Sequence, residues 1–247
     1  MRFYFYSWNR INHKLYLAAL ATVLFAAGLF FAGNMKPVSY SQPIYQGSSK
    51  LKEVAFTVNV FWGEEYIPQM LDILKQNNIK ATFFLGGTWV KQYPELAARI
   101  AREGHEIGSH GYSHPHPDRL SKSGNLRDIR KAEELIIQAT GVKPKLYAPP
   151  YGERGPAVLQ AAEEASYITI LWSVDTVDWQ LPSPEVIVKR VTDKVINGSI
   201  ILMHPTAPTV KALPEMIKRL KKEGYHMVPV PKMLKEMDAT DSSVRGQ

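Results

Sequence analysis

From residue 51 onward, short apolar runs alternate with segments whose apolar residues recur every three or four positions. The apolar runs are "VAFTVNV" (54–60), "ATFFLGG" (81–87), "HEIGSH" (105–110), "KLYAPP" (145–150), "YITILWSV" (167–174), "SIILMHP" (199–205) and "HMVPV" (226–230). The segments between them, such as "EEYIPQMLDILKQNN" and "ALPEMIKRLKKEG", have helical periodicity: Ile67, Met70, Leu71 and Leu74 in the first, Leu213, Met216, Ile217 and Leu220 in the last. Several stop at a glycine (Gly104, Gly141, Gly198, Gly224), as helix C-termini do. Strand–helix repeats of this length predict parallel strands joined by crossover helices, in a small (β/α) barrel or an open doubly wound sheet. Either arrangement puts function at the carboxyl ends of the strands.

The stretch before this pattern is different. Residues 15–32, "LYLAALATVLFAAGLFFA", carry no charge and follow Arg2, Arg10 and Lys14. As a helix they would extend about 27 Å, enough for a bilayer core. The basic flank (1–14) predicts a cytoplasmic N-terminus and an extracytoplasmic C-terminal domain. A cleaved signal peptide is the rival, but Phe30 and Phe31 stand where small residues are wanted. The expected organisation is a flank (1–14), a single transmembrane anchor (15–32), a linker (33–50), a catalytic-type domain (51–235) and a polar tail (236–247).

Charge narrows the function. The formal charge is +7, but residues 1–50 hold five basic residues and no acid, leaving +2 for the rest. No dense Lys/Arg run is present, so nucleic acid is not an expected partner. The chain has no cysteine, which excludes disulfides, Cys-ligated zinc and thiol catalysis.

Residues able to do chemistry fall at the ends of the apolar runs. "GSHGYSHPHP" spaces His110 and His114 four apart, which on a helical turn would face both imidazoles to one divalent ion. The plain alternative is a pair of hydrogen-bonded histidines, and His116, between two prolines, is expected to face solvent. His204 ends "SIILMH", where an imidazole can serve as a general acid or base. "WSVDTVDW" supplies Asp175 and Asp178, and a carboxylate beside His204 would orient its ring. "APPYG" is a rigid corner that leaves the Tyr151 amide free for a ligand. Trp62, Trp89, Trp172 and Trp179, with Tyr112 and Tyr151, offer flat faces suited to sugar rings, although any one of them is more often core.

Taken in order, "ATFFLGG", "GHEIGSHGYSH", "PPYG", "WSVDTVDW" and "GSIILMH" resemble the NodB-homology polysaccharide deacetylases, carbohydrate esterase family four, over residues 52–235. Within that family the chain looks most like the membrane-anchored deacetylase-like branch of spore-forming bacteria. The resemblance implies a distorted (β/α) barrel and a divalent metal, zinc or similar, that assists hydrolysis of N-acetyl groups on peptidoglycan or a chitin-like glycan. The bond broken is a non-peptide carbon–nitrogen bond. The resemblance makes His110 and His114 metal ligands, His204 the general acid, Asp178 its partner and the Tyr151 amide an oxyanion donor. Trp62, Tyr112, Pro150 and Trp179 would then bind substrate.

The first motif departs from the family. Where the family has Thr-Phe-Asp-Asp-Gly-Pro, this chain reads Thr57-Val58-Asn59-Val60-Phe61-Trp62. Asn59 stands in the place of the general base and Val60 in that of the third metal ligand. Ala148 replaces the arginine that braces the base. An amide cannot take a proton from water, and general-base help is worth about 10²–10⁴ in rate. Any metal is expected to bind weakly unless Glu64 or Glu65 folds back. Three readings follow: a weakened cell-wall polysaccharide deacetylase during growth or sporulation, a non-catalytic glycan-binding descendant, or an anchored scaffold for a protein partner.

Overall fold

A computed structural model describes residues 17, 20–22 and 42–235. The expected membrane span falls almost wholly outside those residues. Among them, no helix is long and apolar enough to cross a membrane.

The strands are β1 (Glu53–Val60), β2 (Thr82–Leu85), β3 (Glu106–Ser109), β4 (Leu146–Tyr147), β5 (Ile168–Thr169), β6 (Val174–Asp175), β7 (Ile200–Met203) and β8 (His226–Met227). The helices are α1 (Ile67–Gln76), α2 (Gly87–Gln92), α3 (Pro94–Arg102), α4 (Lys122–Thr140), α5 (Pro156–Glu164), α6 (Pro184–Thr192) and α7 (Ala207–Lys222). The sheet order is β5-β4-β3-β2-β1-β7-β6, every pairing parallel, with β8 joining the start of β1. The result is a curled parallel half-barrel with helices outside it, the expected fold of the deacetylase domain.

The run 167–174, which reads as one strand, is two. β5 and β6 are separate, because Ile44 inserts beside this segment as a parallel bridge to Ile170. Its amide donates to the Thr169 carbonyl (2.9 Å) and its carbonyl accepts from the Leu171 amide (2.8 Å). Gln46 then bridges Ser199. Residues 44–48, read from sequence as linker, are therefore built into the domain.

Alternation along the strands separates two cores. Val54, Phe56, Val58 and Val60 on β1, Phe83 and Leu85 on β2, and Ile201 and Met203 on β7 face the helices and pack on Met70, Leu71, Met216 and Ile217. Ala55, Phe84 and Ile200 face the barrel interior, where they meet Ile44, Ile170 and Val230. A third cluster packs Tyr147 and Ile129 against α5. β1 lies between β2 and β7 and is buried over seven of its eight residues, so its register is tightly fixed.

His105, just before β3, is buried. Its Nδ1 accepts the Ala81 amide (3.1 Å), while Nε2 is buried without a partner. Burial, and then the Lys80 charge, lower its pKa from 6.5 to about 4. Between those values the unfolded chain binds a proton that the native state refuses, so acid destabilises the fold. Unfolding midpoints should therefore fall as pH drops from 6.5 to 4, and His105→Gln should make that dependence shallower.

Candidate active site

The carboxyl ends of β1, β3, β6 and β7 open onto one cavity of about 460 Å³. Asn59, Phe61 and Trp62 line it from β1, His110 and His114 from the β3 loop, and Tyr151 from the Pro-Pro corner. Trp172, Asp175 and Trp179 come from the β6 region, and Leu202 and His204 from β7.

The acid side is tightly built. Asp178 is fully buried. Its carboxylate accepts the His204 backbone amide at 2.7 Å, the His204 Nδ1–H at 2.8 Å and the Thr209 hydroxyl at 2.5 Å. Thr209 lies in the first turn of α7, whose N-cap is Thr206. Three donors, one of them from the first turn of α7, hold the carboxylate in one orientation. Asp178 thus fixes the His204 ring and leaves Nε2 for the cavity.

The histidine side holds together for a different reason from the one the spacing suggested. His110 and His114 are not on a helical turn. Gly111 (φ 75°) and His114 (φ 54°) both take left-handed backbone, and the loop folds the rings to a 5.0 Å centroid separation. Asp128 on α4 ties this loop down, accepting the amides of Tyr112 (2.7 Å) and Ser113 (3.4 Å). Sequence alone gave no sign of that role. A side chain at Gly111 would meet the Asp128 carboxylate at 2.6 Å, so glycine is required there. His110 donates Nδ1–H to the Ala148 carbonyl (2.7 Å), leaving Nε2 as a lone-pair donor. Burial, and then His114, lower the His110 pKa to about 3, and burial also lowers that of His114. Both rings are neutral near pH 7.

The end of β1 departs furthest from expectation. Asn59 faces the cavity, and its Oδ1 is buried with no partner. Val60 does not: it is fully buried in the helix-side core. The place beside His114 is taken by Phe61, whose ring lies 4.9 Å from the imidazole. Trp62 stacks on His204 at 5.9 Å with planes 6° apart. Glu64 does not fold back, since it accepts the Tyr93 hydroxyl (2.7 Å), and neither Glu64 nor Glu65 lines the cavity.

The sugar-binding expectations divide. Trp62, Tyr151 and Trp179 line the cavity and are 43%, 57% and 54% exposed. Tyr112 does not line it; its ring packs towards the helix layer beneath the Lys131 ammonium, 3.7 Å from the centroid. Pro150 is buried and shapes the corner from behind. Trp89 belongs to the core. His116 is not simply solvated: it stacks on Tyr151 at 4.0 Å and pairs with Glu153 at 2.7 Å. Tyr151 has φ 59°, a costly conformation for a tyrosine, and this stack helps hold it.

A family metal fits this site poorly. His110 and His114 supply two nitrogens, but the carboxylates expected at the end of β1 are absent and Phe61 packs beside the His114 ring. Among the described residues, no three His, Asp or Glu side chains are placed to hold an ion.

A half-barrel with a His–Asp pair, two histidines and a Pro-Pro-Tyr corner at the strand ends defines a polysaccharide deacetylase scaffold. The polysaccharide deacetylase family profile matches residues 46–170. The chain is 45% identical over 195 residues to uncharacterized protein YlxY of Bacillus subtilis (strain 168), covering 79% of this chain and 61% of that protein. It is 38% identical over 209 residues to a peptidoglycan-N-acetylglucosamine deacetylase of Bacillus cereus, covering 81% and 76%. Among solved structures it is similar to wild-type BA3943 of Bacillus anthracis, described as a CE4 family pseudoenzyme. The TM-score is 0.77 at 41% identity, covering 78% of this chain and 69% of that one. A BA3943 mutant described as having restored enzymatic activity matches equally well, with a TM-score of 0.77 at 39% identity over 78% and 71% of the two chains. The chain belongs to the polysaccharide deacetylase family.

The geometry predicts which substitution would rebuild a metal site. Asn59→Asp with Phe61→Asp puts two carboxylates on the cavity side and should tighten zinc binding at least about tenfold in calorimetry, a carboxylate being a good zinc ligand. Val60→Asp, buried in the core, should instead lower the unfolding midpoint. Unchanged zinc affinity in the double variant would show that the strand end is placed differently.

Proposed function

We propose that this protein is a degenerate peptidoglycan-type N-deacetylase: it takes an N-acetylated cell-wall glycan into the rim cavity, and its turnover has fallen to what the surviving groups support. The observation that carries this reading is the intact His204–Asp178 pair, with three donors on a buried carboxylate, facing a cavity lined with exposed aromatic rings. The buried carboxylate needs its donors for stability, and it satisfies two of them with His204 itself, which fixes the ring at the cavity. Trp62, Tyr151 and Trp179 suit sugar faces, the Tyr151 amide suits an acetamido oxygen, and His204 Nε2 suits the leaving amine. The peptidoglycan deacetylase of Bacillus cereus supports the choice of glycan.

The second reading, binding without turnover, is favoured by one observation: Phe61 and Trp62 cover the faces of His114 and His204. The likeness to a protein described as a pseudoenzyme supports it as well. In both readings residues 15–32 anchor the chain and the domain lies outside the cell membrane, as in the membrane-anchored branch of spore formers. The apolar run and its basic flank support that placement. A divalent ion, if it binds, does so through His110 and His114.

The test is acetate release from N-acetylated peptidoglycan and chitin oligomers with added Zn²⁺, Co²⁺ or Mn²⁺. The first reading predicts slow release that His204→Ala abolishes while oligomer binding persists. Binding with no release selects the second reading. Release that survives His204→Ala contradicts the assigned acid, and failure to bind either oligomer contradicts both.

A further inference from the structure

We infer that the rim cavity prefers a sugar carrying a free ammonium, the product of N-deacetylation, over the N-acetylated sugar. The inference rests on the reading above that this rim holds a cell-wall glycan, and it names which form of the glycan is held.

The cavity has the composition of a cation site. Asp175 lines it half-buried, and one carboxylate oxygen accepts only the Val177 amide at 2.8 Å. Among the described residues Asp175 forms no ion pair, and no Lys or Arg lines the cavity. Arg190 is directed at the carbonyls of Thr176 (2.8 Å) and Val177 (3.3 Å). His204 is matched by Asp178 and does not neutralise Asp175. A half-buried carboxylate without a counter-charge favours a cationic ligand.

Two further features point the same way. Trp62, Trp172 and Trp179 line the cavity, and aromatic walls attract ammonium groups. Asn59 Oδ1 is an acceptor buried at the cavity without a donor. An ammonium brings three N–H donors, enough for Asp175, Asn59 and one water. An acetamido group brings one N–H and a methyl, and leaves the Asp175 charge uncompensated.

The change at the end of β1 makes this arrangement coherent. With no inward carboxylate beside His110 and His114, a divalent ion no longer supplies positive charge here, and the remaining acidic group is free for an organic cation. The reaction that must supply such a ligand is the hydrolysis of an N-acetyl amide to a primary amine and acetate. The protein would then hold the glycan that an active deacetylase has modified, or retain its own product.

The test is calorimetric titration of the full chain with β-1,4-linked glucosamine tetramer and with N-acetylglucosamine tetramer at pH 6. The chain's formal charge of +7 works against non-specific attraction of the cationic tetramer. The glucosamine tetramer should bind at least tenfold tighter. Asp175→Asn, nearly isosteric, should reduce that preference to less than about twofold. Equal or weaker binding of the glucosamine tetramer to the wild-type chain overturns the inference and needs no variant. A preference that persists in Asp175→Asn overturns it also. Binding of the N-acetylated tetramer without the preference leaves the proposed function standing, whereas binding of neither overturns both.

Discussion

A parallel strand buried on both faces alternates its side chains strictly, and at its carboxyl end only every second residue can reach the rim. β1 is such a strand. It pairs with β2 through Val60↔Leu85 and with β7 through Val58↔Met203, so the alternation persists to its last residue. Asn59 is inward and Val60 outward. The chemistry of the cavity follows from that constraint. A carboxylate pair at this point would give the rim a base and a metal ligand. Here the rim receives an amide, and the next residue to reach it is Phe61.

The rest of the site is arranged around that strand end. The Asp178 carboxylate sits beneath the first turn of α7 and fixes His204. Asp128 fixes the loop that carries His110 and His114. These supports are made by residues on helices, so they survive a change on β1 without adjustment. The site thus keeps its shape, its aromatic walls and its oriented imidazoles while losing the groups that make water a nucleophile. Shape and orientation hold a glycan; general-base chemistry turns it over.

Much of this was legible in the sequence. Period-2 and period-3.6 patterns marked the strands and all the longer helices, and the residues at strand ends marked the rim. An aspartate partner for His204 was also readable, because Asp175 and Asp178 follow one apolar run and His204 ends another, while the choice of Asp178 came from the family resemblance. Contacts between residues distant in sequence were not. Nothing at Asp128 or His116 signals a loop brace or a stack on Tyr151, since both depend on how α4 and the Pro-Pro corner approach the β3 loop. Ile44 looked like linker because a single buried residue has no period. Val60 was readable as a missing carboxylate, but only strand pairing shows that its side chain faces the helices and that Phe61 occupies the place beside His114.

The end of β1, more than the arginine replaced by Ala148, limits turnover at this site. The most direct test is the rate of acetate release from N-acetylglucosamine oligomers by a variant with Asn59→Asp, Phe61→Asp and Trp62→Pro, assayed with zinc beside the wild-type chain. The rate should rise at least about 10²-fold above wild type, in line with recovery of a general base. A folded variant that releases acetate no faster than the wild-type chain would contradict it.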